Sequence, residues 1–163
     1  MNFIEVFERQ SKILIDKLEE HKKEPVNIVP LIGLLALDII CETSMNTSIN
    51  AQTDSSSEYV RCVKQMTRIA ILRTFSAFKY SDFLFKLTKE YNVQKDALKI
   101  LHGFTNSIIK KRKNELEKQN FVINENNDNK KKSVLDILLK SENPLPDYAI
   151  REEVDSFTFA VQK

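Results

Sequence analysis

The stretch that decides the fold is LIGLLALDIICETSMNTSIN, residues 31–50. Its apolar residues lie on every side of a helix and not in one stripe: Leu31, Leu34, Leu35, Leu37, Ile39, Ile40 and Cys41. Such a helix is either buried at the centre of a protein or spans a membrane. The uninterrupted apolar run, 28–37, has about ten residues, whereas a span needs about 20. The pattern therefore predicts a core helix over 30–45.

The composition indicates an all-α chain. Its 163 residues suit one domain or a part of one, and only 2 are Gly and 4 are Pro, too few for a turn-rich β fold. The net charge of +2 is too small to imply nucleic acid as a partner. Two cysteines without a secretory leader indicate a reducing compartment. We expect Cys41 and Cys62 to be inert core thiols.

Helical periodicity predicts five further helices, which pack around the core helix. They cover 2–20, about 58–75, about 89–118, 133–140 and 147–160. Ser55-x-x-Glu58 and Ser133-x-x-Asp136 have the spacing of capping boxes. The inner face of the helix at 58–75 is predicted to comprise Val60, Val63, Thr67, Ala70, Ile71 and Thr74. The stretch 119–132 is rich in Asn and Lys and is predicted to be a mobile loop.

Asp38 and Glu42 lie four residues apart, so they share one edge of the core helix. One hypothesis makes them a paired-carboxylate acid–base site. The other makes them a solvated edge, or partners for Lys or Arg of a neighbouring helix. We favour the second hypothesis because no His or further carboxylate cluster accompanies them.

The basic residues need no special partner. Arg61, Lys64 and Arg68 form a stripe that could meet phosphates, although such stripes are usually solvated faces. The run 110–113 suits the C-terminal end of a helix through the macrodipole. His102 has no second His nearby, so we expect a surface or satisfied residue and not a metal ligand. The residues also contain no glycine-rich phosphate loop, Cys or His metal cluster or serine elbow.

Aromatic residues crowd the connection after the helix at 58–75: Phe75, Phe78, Tyr80, Phe83 and Phe85. Such a cluster can line an apolar ligand pocket. It can equally cap the core between two helices. The residues by themselves favour core packing.

Several ordered segments together resemble family-4 cytochrome P-450, especially the insect type. They are LDIICETSM (37–45), SINAQ (48–52), SEYVRCVKQM (57–66), DFLFKLT (82–88), LKILHGFTNSIIKKRKNEL (98–116), KKSVLDILL (131–139) and IREEVDSFTF (150–159). By the family layout, 2–20, 30–45, 57–75, 89–117 and 133–140 are the fourth to eighth helices. Residues 147–160 are then the start of the long helix that crosses the haem. The resemblance implies that 1–163 is a single partial domain, the helical middle of this fold.

The resemblance implies a haem monooxygenase, which inserts one oxygen atom of O₂ into an apolar or lipid-like substrate. A Cys thiolate would hold the iron, and electrons would come from NADPH-cytochrome reductase. The parent protein would lie on the endoplasmic reticulum membrane, whereas this chain is expected to have no anchor of its own. The sixth and seventh helices would form the roof over substrate access. Phe75, Phe78, Phe83 and Phe85 are therefore candidates for lining the channel.

This sequence departs from the family pattern where the haem chemistry would be expected. The segment after Phe159 reads AVQK where the family has its oxygen-handling residues, and no haem loop bearing a Cys is present. Neither cysteine inherits the ligand role, and we assign no catalytic, haem-binding or metal residue. Asn46 replaces the family glycine after Met45 and should serve as a left-handed cap.

Two hypotheses follow from the departures. In the first, the chain is an incomplete haem monooxygenase and is inactive by itself. In the second, it is a non-catalytic helical module that binds a lipid-like ligand or another protein. We favour the first hypothesis.

Overall fold

The computed structural model describes residues 3–22, 25–120, 132–141 and 145–160, with side chains left out at 77, 78, 119 and 120. Within these residues the chain is helical and has no strand, which confirms the all-α prediction. The helices are α1 (Phe3–Glu20), α2 (Ile28–Met45), α3 (Glu58–Phe75), α4 (Ala77–Tyr80), α5 (Asp82–Phe85), α6 (Lys89–Asn120), α7 (Val134–Leu139) and α8 (Asp147–Ala160). Helix α6 continues two residues into the predicted loop 119–132, and 121–131 lie outside the described residues.

Helix α2 begins and ends where its flanking residues dictate. The side chain of Asn27 accepts a hydrogen bond from the Val29 N–H and caps the first turn, where Pro30 lies. At the other end Asn46 has φ 53° and ψ 38°, and its N–H bonds to the last carbonyls of the helix. Asn tolerates this left-handed conformation better than most residues. The prediction for Asn46 is therefore confirmed.

Helix α2 contacts three other helices directly. Helix α2 packs against α1, α7 and α8, while α3 packs on α6, and α6 packs on α8. The largest apolar side chains that are fully buried come from five elements: Leu37 and Met45 of α2, Val60 and Val63 of α3, Ile109 of α6, Leu135 of α7, and Ile150 and Val154 of α8. One apolar cluster therefore connects the helices around α2.

Helix α2 is buried along its C-terminal half and open at its start. Val29 is 73% exposed and Ile32 is 46% exposed, whereas Leu37 and Cys41 are fully buried. The expectation of burial on every side is thus wrong for the first turns. An apolar sequence shows that a helix is suited to burial, but the packing of neighbouring helices decides which of its turns are buried.

By length and composition, Ile28–Met45 could also cross a membrane. The core helix of a globular protein meets the same criteria. Asp38 and Glu42 are buried in this helix and bonded to neighbouring protein groups. We therefore interpret α2 as the core helix.

The two predicted capping boxes have different outcomes. Ser133 accepts from the Asp136 N–H while the Asp136 carboxylate accepts from the Ser133 N–H, so this box is confirmed. The box at Ser55 is wrong, because α3 starts at Glu58 with Ser57 as its N-cap residue and no side-chain cap bond. A short sequence pattern such as S-x-x-E often occurs in segments that do not form the two reciprocal hydrogen bonds of a capping box.

The predicted inner face of α3 is correct only near its start. Val60 and Val63 are buried, Thr67 is half-buried, and Ala70, Ile71 and Thr74 are exposed. Helical periodicity groups residues on one face, but it does not show where the covering helix ends. The C-terminal half of α3 thus presents apolar side chains to the surface.

Candidate functional site

The structure separates the aromatic residues that were candidates for lining a channel. Phe85 is 2% exposed, whereas Phe75 is 86% and Phe83 is 74% exposed. Phe78 lies in α4, and its side chain is outside the described set. The short helices α4 and α5 turn the chain between α3 and α6, and of the three phenylalanines whose side chains are described, Phe85 is the buried one.

Phe85 forms the floor of an open cleft of about 450 Å³ between the end of α3, α5 and the start of α6. The Arg73 guanidinium lies 4.4 Å from the centre of the Phe85 ring, a cation–π geometry. Tyr91 meets the same ring edge-on, with centroids 6.1 Å apart. Leu98 and His102 of α6 extend the wall. The cleft thus combines an aromatic floor with a mainly basic rim.

Ion pairs hold the short helices around this cleft. Arg73 bonds to the Asp82 carboxylate, and its Nε donates to the Lys79 carbonyl at 3.3 Å. Lys79 also pairs with Glu90 at the start of α6. The hydrogen bond from Lys79 lowers the pKa of the Glu90 carboxyl. Arg73 therefore contacts both Asp82 of α5 and the Phe85 ring. The other basic residues of the rim are Lys86, Lys95 and Lys99.

Asp38 and Glu42 are buried, but each carboxylate is bound to a structural partner. Asp38 accepts from the Ala51 and Gln52 backbone N–H groups at 2.6 and 2.8 Å. Burial is the largest cause that raises the pKa of Asp38, and the backbone bonds oppose it. Glu42 pairs with Arg9 and accepts from Gln10 Nε2 at 2.8 Å. Basic partners from a neighbouring helix were expected for both carboxylates. Glu42 has one in Arg9, whereas Asp38 binds backbone N–H groups instead, and burial rules out the solvated edge.

Sequence reasoning missed the polar network that completes this arrangement. Gln52 Nε2 donates to Gln10 Oε1 at 2.9 Å, and both side chains are buried. The network joins α1, α2 and the turn after α2. The available signal was Gln10 itself, a polar residue that interrupts the apolar stripe of the first helix.

Asp155 of α8 meets two residues of α6. Thr105 Oγ1 donates to Asp155 Oδ1 at 2.7 Å, and His102 Nε2 lies 3.6 Å from Asp155 Oδ2. Burial raises the pKa of Asp155, while Thr105 and His102 oppose that shift. His102 is thus a partly exposed residue that lies near a carboxylate of α8. No local sequence pattern indicated its partner, because Asp155 follows Thr105 by 50 residues.

The run 110–113 has a different role from the one expected. Helix α6 ends at Asn120, well beyond this run. Arg112 binds Asp136 through Nε and Nη2 and Glu115 through Nη1, and Lys113 pairs with Asp147. Burial disfavours ionised Asp136, but the bonds and charge of Arg112 outweigh it and lower its pKa. The macrodipole interpretation is thus wrong for Arg112 and Lys113, which connect α6 to α7 and α8.

The described residues do not fit a thiolate site for haem iron. Cys41 and Cys62 are buried, free and part of the apolar cluster. Burial raises the pKa of the Cys41 thiol to about 12, although a hydrogen bond with Tyr59 opposes the shift. Burial also raises the pKa of Cys62. The described ranges contain no group of three or more His, Cys, Asp or Glu residues that could hold a metal.

The basic stripe Arg61, Lys64 and Arg68 is exposed on α3. Arg61 lies 3.7 Å from Glu58, one turn earlier. Lys64 and Arg68 border a shallow depression of about 330 Å³ with Thr67, Ile71 and Leu72. A solvated face, the interpretation given to such stripes, fits these positions.

Comparison with known proteins identifies the family. The model of the family "Cytochrome P450" matches residues 1–163. The chain is 39% identical to cytochrome P450 4d2 of Drosophila melanogaster, over 96% of this chain and 34% of that protein. It is 43% identical to cytochrome P450 4c21 of Blattella germanica over 96% of this chain and 33% of that protein. It is 38% identical to cytochrome P450 4V2 of Homo sapiens, over 97% of this chain and 32% of that protein.

The chain thus spans about a third of the length of these curated relatives. The match covers the helices, the cleft and the buried polar network described above. Haem is the cofactor that this family implies. With the whole chain matched and the relatives agreeing, this protein belongs to the cytochrome P450 family, and its curated relatives are of family 4.

Proposed function

We propose that this chain is part of a haem-thiolate monooxygenase that inserts one oxygen atom of O₂ into an apolar or lipid-like substrate. The observation that carries the proposal is the family match over residues 1–163, together with identities near 40% to three family-4 proteins. NADPH-cytochrome reductase would supply the electrons, and the parent protein would lie on the endoplasmic reticulum membrane. The bound haem would supply the oxygen chemistry.

In that enzyme, this chain would build part of the helical fold and part of the wall of the substrate channel. Its Cys41 and Cys62 thiols are buried in the core and supply no iron ligand. The helices α3 and α6 would form the roof over substrate access, and the cleft at Phe85 would lie beside the channel. We therefore propose inactivity for the isolated 163-residue chain.

The test compares two proteins under carbon monoxide. The isolated chain and the longer protein translated from the parent transcript are each reconstituted with haem and reduced. The longer protein should give the spectrum of a thiolate-ligated iron, and the isolated chain should give none. A thiolate spectrum from the isolated chain would overturn the proposed inactivity, and its absence from a longer, folded protein with bound haem would overturn the enzyme proposal.

Phe75, Phe78, Phe83 and Phe85 remain candidates for lining the channel. Exposure favours a substrate role for Phe75 and Phe83, because neither side chain is needed to fill the core. In the longer enzyme, Phe83→Ala should raise KM for an apolar substrate and leave the melting temperature unchanged. Tyr80→Ala, an exposed aromatic in the same connection, is the matched control. Equal KM values for all three proteins would exclude Phe83 from the lining.

A second candidate function is a non-catalytic helical module that binds a lipid-like ligand or another protein. The cleft of about 450 Å³ with its aromatic floor favours this alternative. Calorimetric melting separates the two functions. A binding module should unfold in one cooperative transition, and an apolar ligand should raise its melting temperature. A part of a larger enzyme should melt broadly or aggregate, because its uncovered apolar side chains meet water.

A further inference from the structure

The cleft at Phe85 carries positive charge that its own residues do not balance. The cationic side chains in its lining are those of Arg73, Lys86, Lys95 and Lys99. Among the described residues of that lining, Asp82 is the one carboxylate, and it already pairs with Arg73. The three lysines are exposed, and none of them forms an ion pair with any residue that the structure describes. The cleft therefore presents three cations without a counter-ion.

These lysines reach the cleft from two elements. Lys95 and Lys99 are four residues apart in α6, so they share one face of that helix. Lys86 directly follows α5 and lines the same cleft. Like charges that share a small volume repel one another, and a bound anion relieves that repulsion. The arrangement thus favours an anion as the occupant.

The cleft also offers apolar surface. Phe85, Tyr91 and Leu98 belong to its lining, and the ion pair of Arg73 with Asp82 holds the Arg73 guanidinium over the Phe85 ring. The volume of about 450 Å³ lies in the range of small-molecule sites. A concave site of this size suits a small molecule, whereas a membrane surface is met by the apolar face of an amphipathic helix.

We propose that this cleft binds a free phosphate monoester that carries an apolar group. A phosphate monoester has a charge of about −1.5 to −2 at neutral pH and three strong acceptor oxygens. It therefore matches three lysines better than a carboxylate, which has a single charge. The phosphate binds Lys86, Lys95 and Lys99, and the apolar group lies against Tyr91 and Leu98. This site takes no part in oxygen chemistry, and the inference does not rest on the monooxygenase proposal.

Calorimetric titration measures the binding. The 163-residue chain and the longer protein with its bound haem are each titrated with hexyl phosphate and with inorganic phosphate. Hexyl phosphate should bind about tenfold more tightly than inorganic phosphate, which corresponds to the burial of about two methylene groups. Added salt should weaken the binding of both ligands. Equal affinities, or no binding to the longer protein, would overturn the proposal.

Two pairs of substitutions identify the cations. Lys95→Gln with Lys99→Gln should weaken the binding of hexyl phosphate about tenfold, and Lys95→Arg with Lys99→Arg should retain it. Lys64→Gln with Arg68→Gln is the matched control, because these exposed residues of α3 have the same spacing and lie outside the lining of the cleft. If both Gln pairs weaken binding equally, the ligand responds to overall charge and the site is refuted.

The two histidines of the chain report where the ligand binds. His102 lines the cleft, whereas His21 is exposed just after α1. At constant pH, hexyl phosphate should move the imidazole resonances of His102 and leave those of His21 in place. Binding without a shift at His102 would place the ligand elsewhere and overturn the proposal.

Two further measurements exclude other sites and sources of phosphate. The haem absorption of the longer protein should stay constant during the titration, and a change that follows the binding curve would place the ligand at the haem instead. Vesicles that contain phosphatidic acid test the membrane as the source. If the protein binds these vesicles but not free hexyl phosphate, the ligand is a lipid headgroup in a bilayer and the proposal of a free ester is wrong.

Discussion

Cys41 illustrates how burial changes the chemistry of a single residue. Its side chain is fully buried, and burial raises the pKa of its thiol to about 12. Because the thiolate is the reactive form, this residue should be inert at neutral pH. Cys62 is also buried and in the same apolar cluster.

We therefore expect a thiol reagent to modify neither cysteine in the folded chain. Both should react in denaturant, so the count of modified thiols should rise from none to two, the number of cysteines in the sequence. Mass spectrometry of the alkylated protein measures this count. Rapid modification of Cys41 under native conditions would contradict the buried position of α2.

The two phenylalanines of α5 should differ sharply in their contribution to stability. Phe85→Ala removes a ring that lies between Arg73 and Tyr91. The loss of a buried Phe costs about 3–5 kcal/mol of unfolding free energy. Phe83→Ala, its exposed neighbour, should change stability by less than about 0.5 kcal/mol.

Denaturant unfolding of both variants measures the difference. Equal destabilisation by Phe83→Ala and Phe85→Ala would show that the aromatic floor of the cleft is not formed in solution. A large effect of Phe85→Ala alone confirms the cleft.

At the scale of an element, Asn46 controls the end of α2. Its φ of 53° disfavours residues with a branched Cβ. Asn46→Gly should be neutral or slightly stabilising, whereas Asn46→Val should destabilise the chain by about 1–2 kcal/mol. Thermal unfolding gives the comparison. If Val were tolerated as well as Gly, the left-handed cap would be wrong.

Arg112 and Asp136 make the attachment of α7 to α6 dependent on pH. The folded pKa of Asp136 is below its ordinary value of 3.8, so the folded chain binds fewer protons than the unfolded chain in this range. The contribution of the pair to stability is complete above pH 3.8 and is lost as the pH falls through the lower folded pKa. The pKa values of Asp38 and Asp155 are raised in the folded chain. These two residues therefore bind more protons in the folded chain than in the unfolded chain, and their effect on the pH dependence of stability is opposite to that of Asp136.

The pH effect of the pair is therefore measured as a difference between variants. Asp136→Asn should flatten the loss of stability below pH 3.8. Asp147→Asn is the control, because Asp147 is 63% exposed beside Lys113 and its pair is screened. Unfolding free energies at several pH values give both slopes. Equal slopes for the wild type and Asp136→Asn would refute the role of this pair.

At the scale of the whole molecule, apolar side chains remain open on α1 and on the first turns of α2. Ile4 and Phe7 of α1 and Val29 and Ile32 of α2 are examples. Since the relatives are about three times as long as the matched region, we expect further chain to cover this surface in the complete enzyme.

A double variant, Val29→Gln with Ile32→Gln, tests whether further chain buries this apolar surface in the longer protein. In the isolated chain it should reduce aggregation, because both residues face water. In the longer protein it should lower the melting temperature, because two buried apolar side chains would be replaced by polar ones. The same response in both proteins would show that the surface is not covered.

The lesson for prediction differs between elements. The core helix, its asparagine cap, the capping box at Ser133 and the all-α class follow from local patterns, since propensity and capping act within a few residues. The same local logic placed the start of the α3 capping box wrongly at Ser55. It also assigned Arg112 and Lys113 to a helix end, because their partners Asp136 and Asp147 lie more than 20 residues further along the chain.

The sequence by itself determined the family, the helical class and the position of the central helix. Repeated apolar spacing and ordered family segments act along the chain and can be recognised there. Only the tertiary structure decided that Glu42 meets Arg9, that Thr105 meets Asp155, and that Phe85 is buried while Phe83 is exposed. The physical reason is that burial and pairing depend on which surfaces meet, and those surfaces come from residues far apart in the chain.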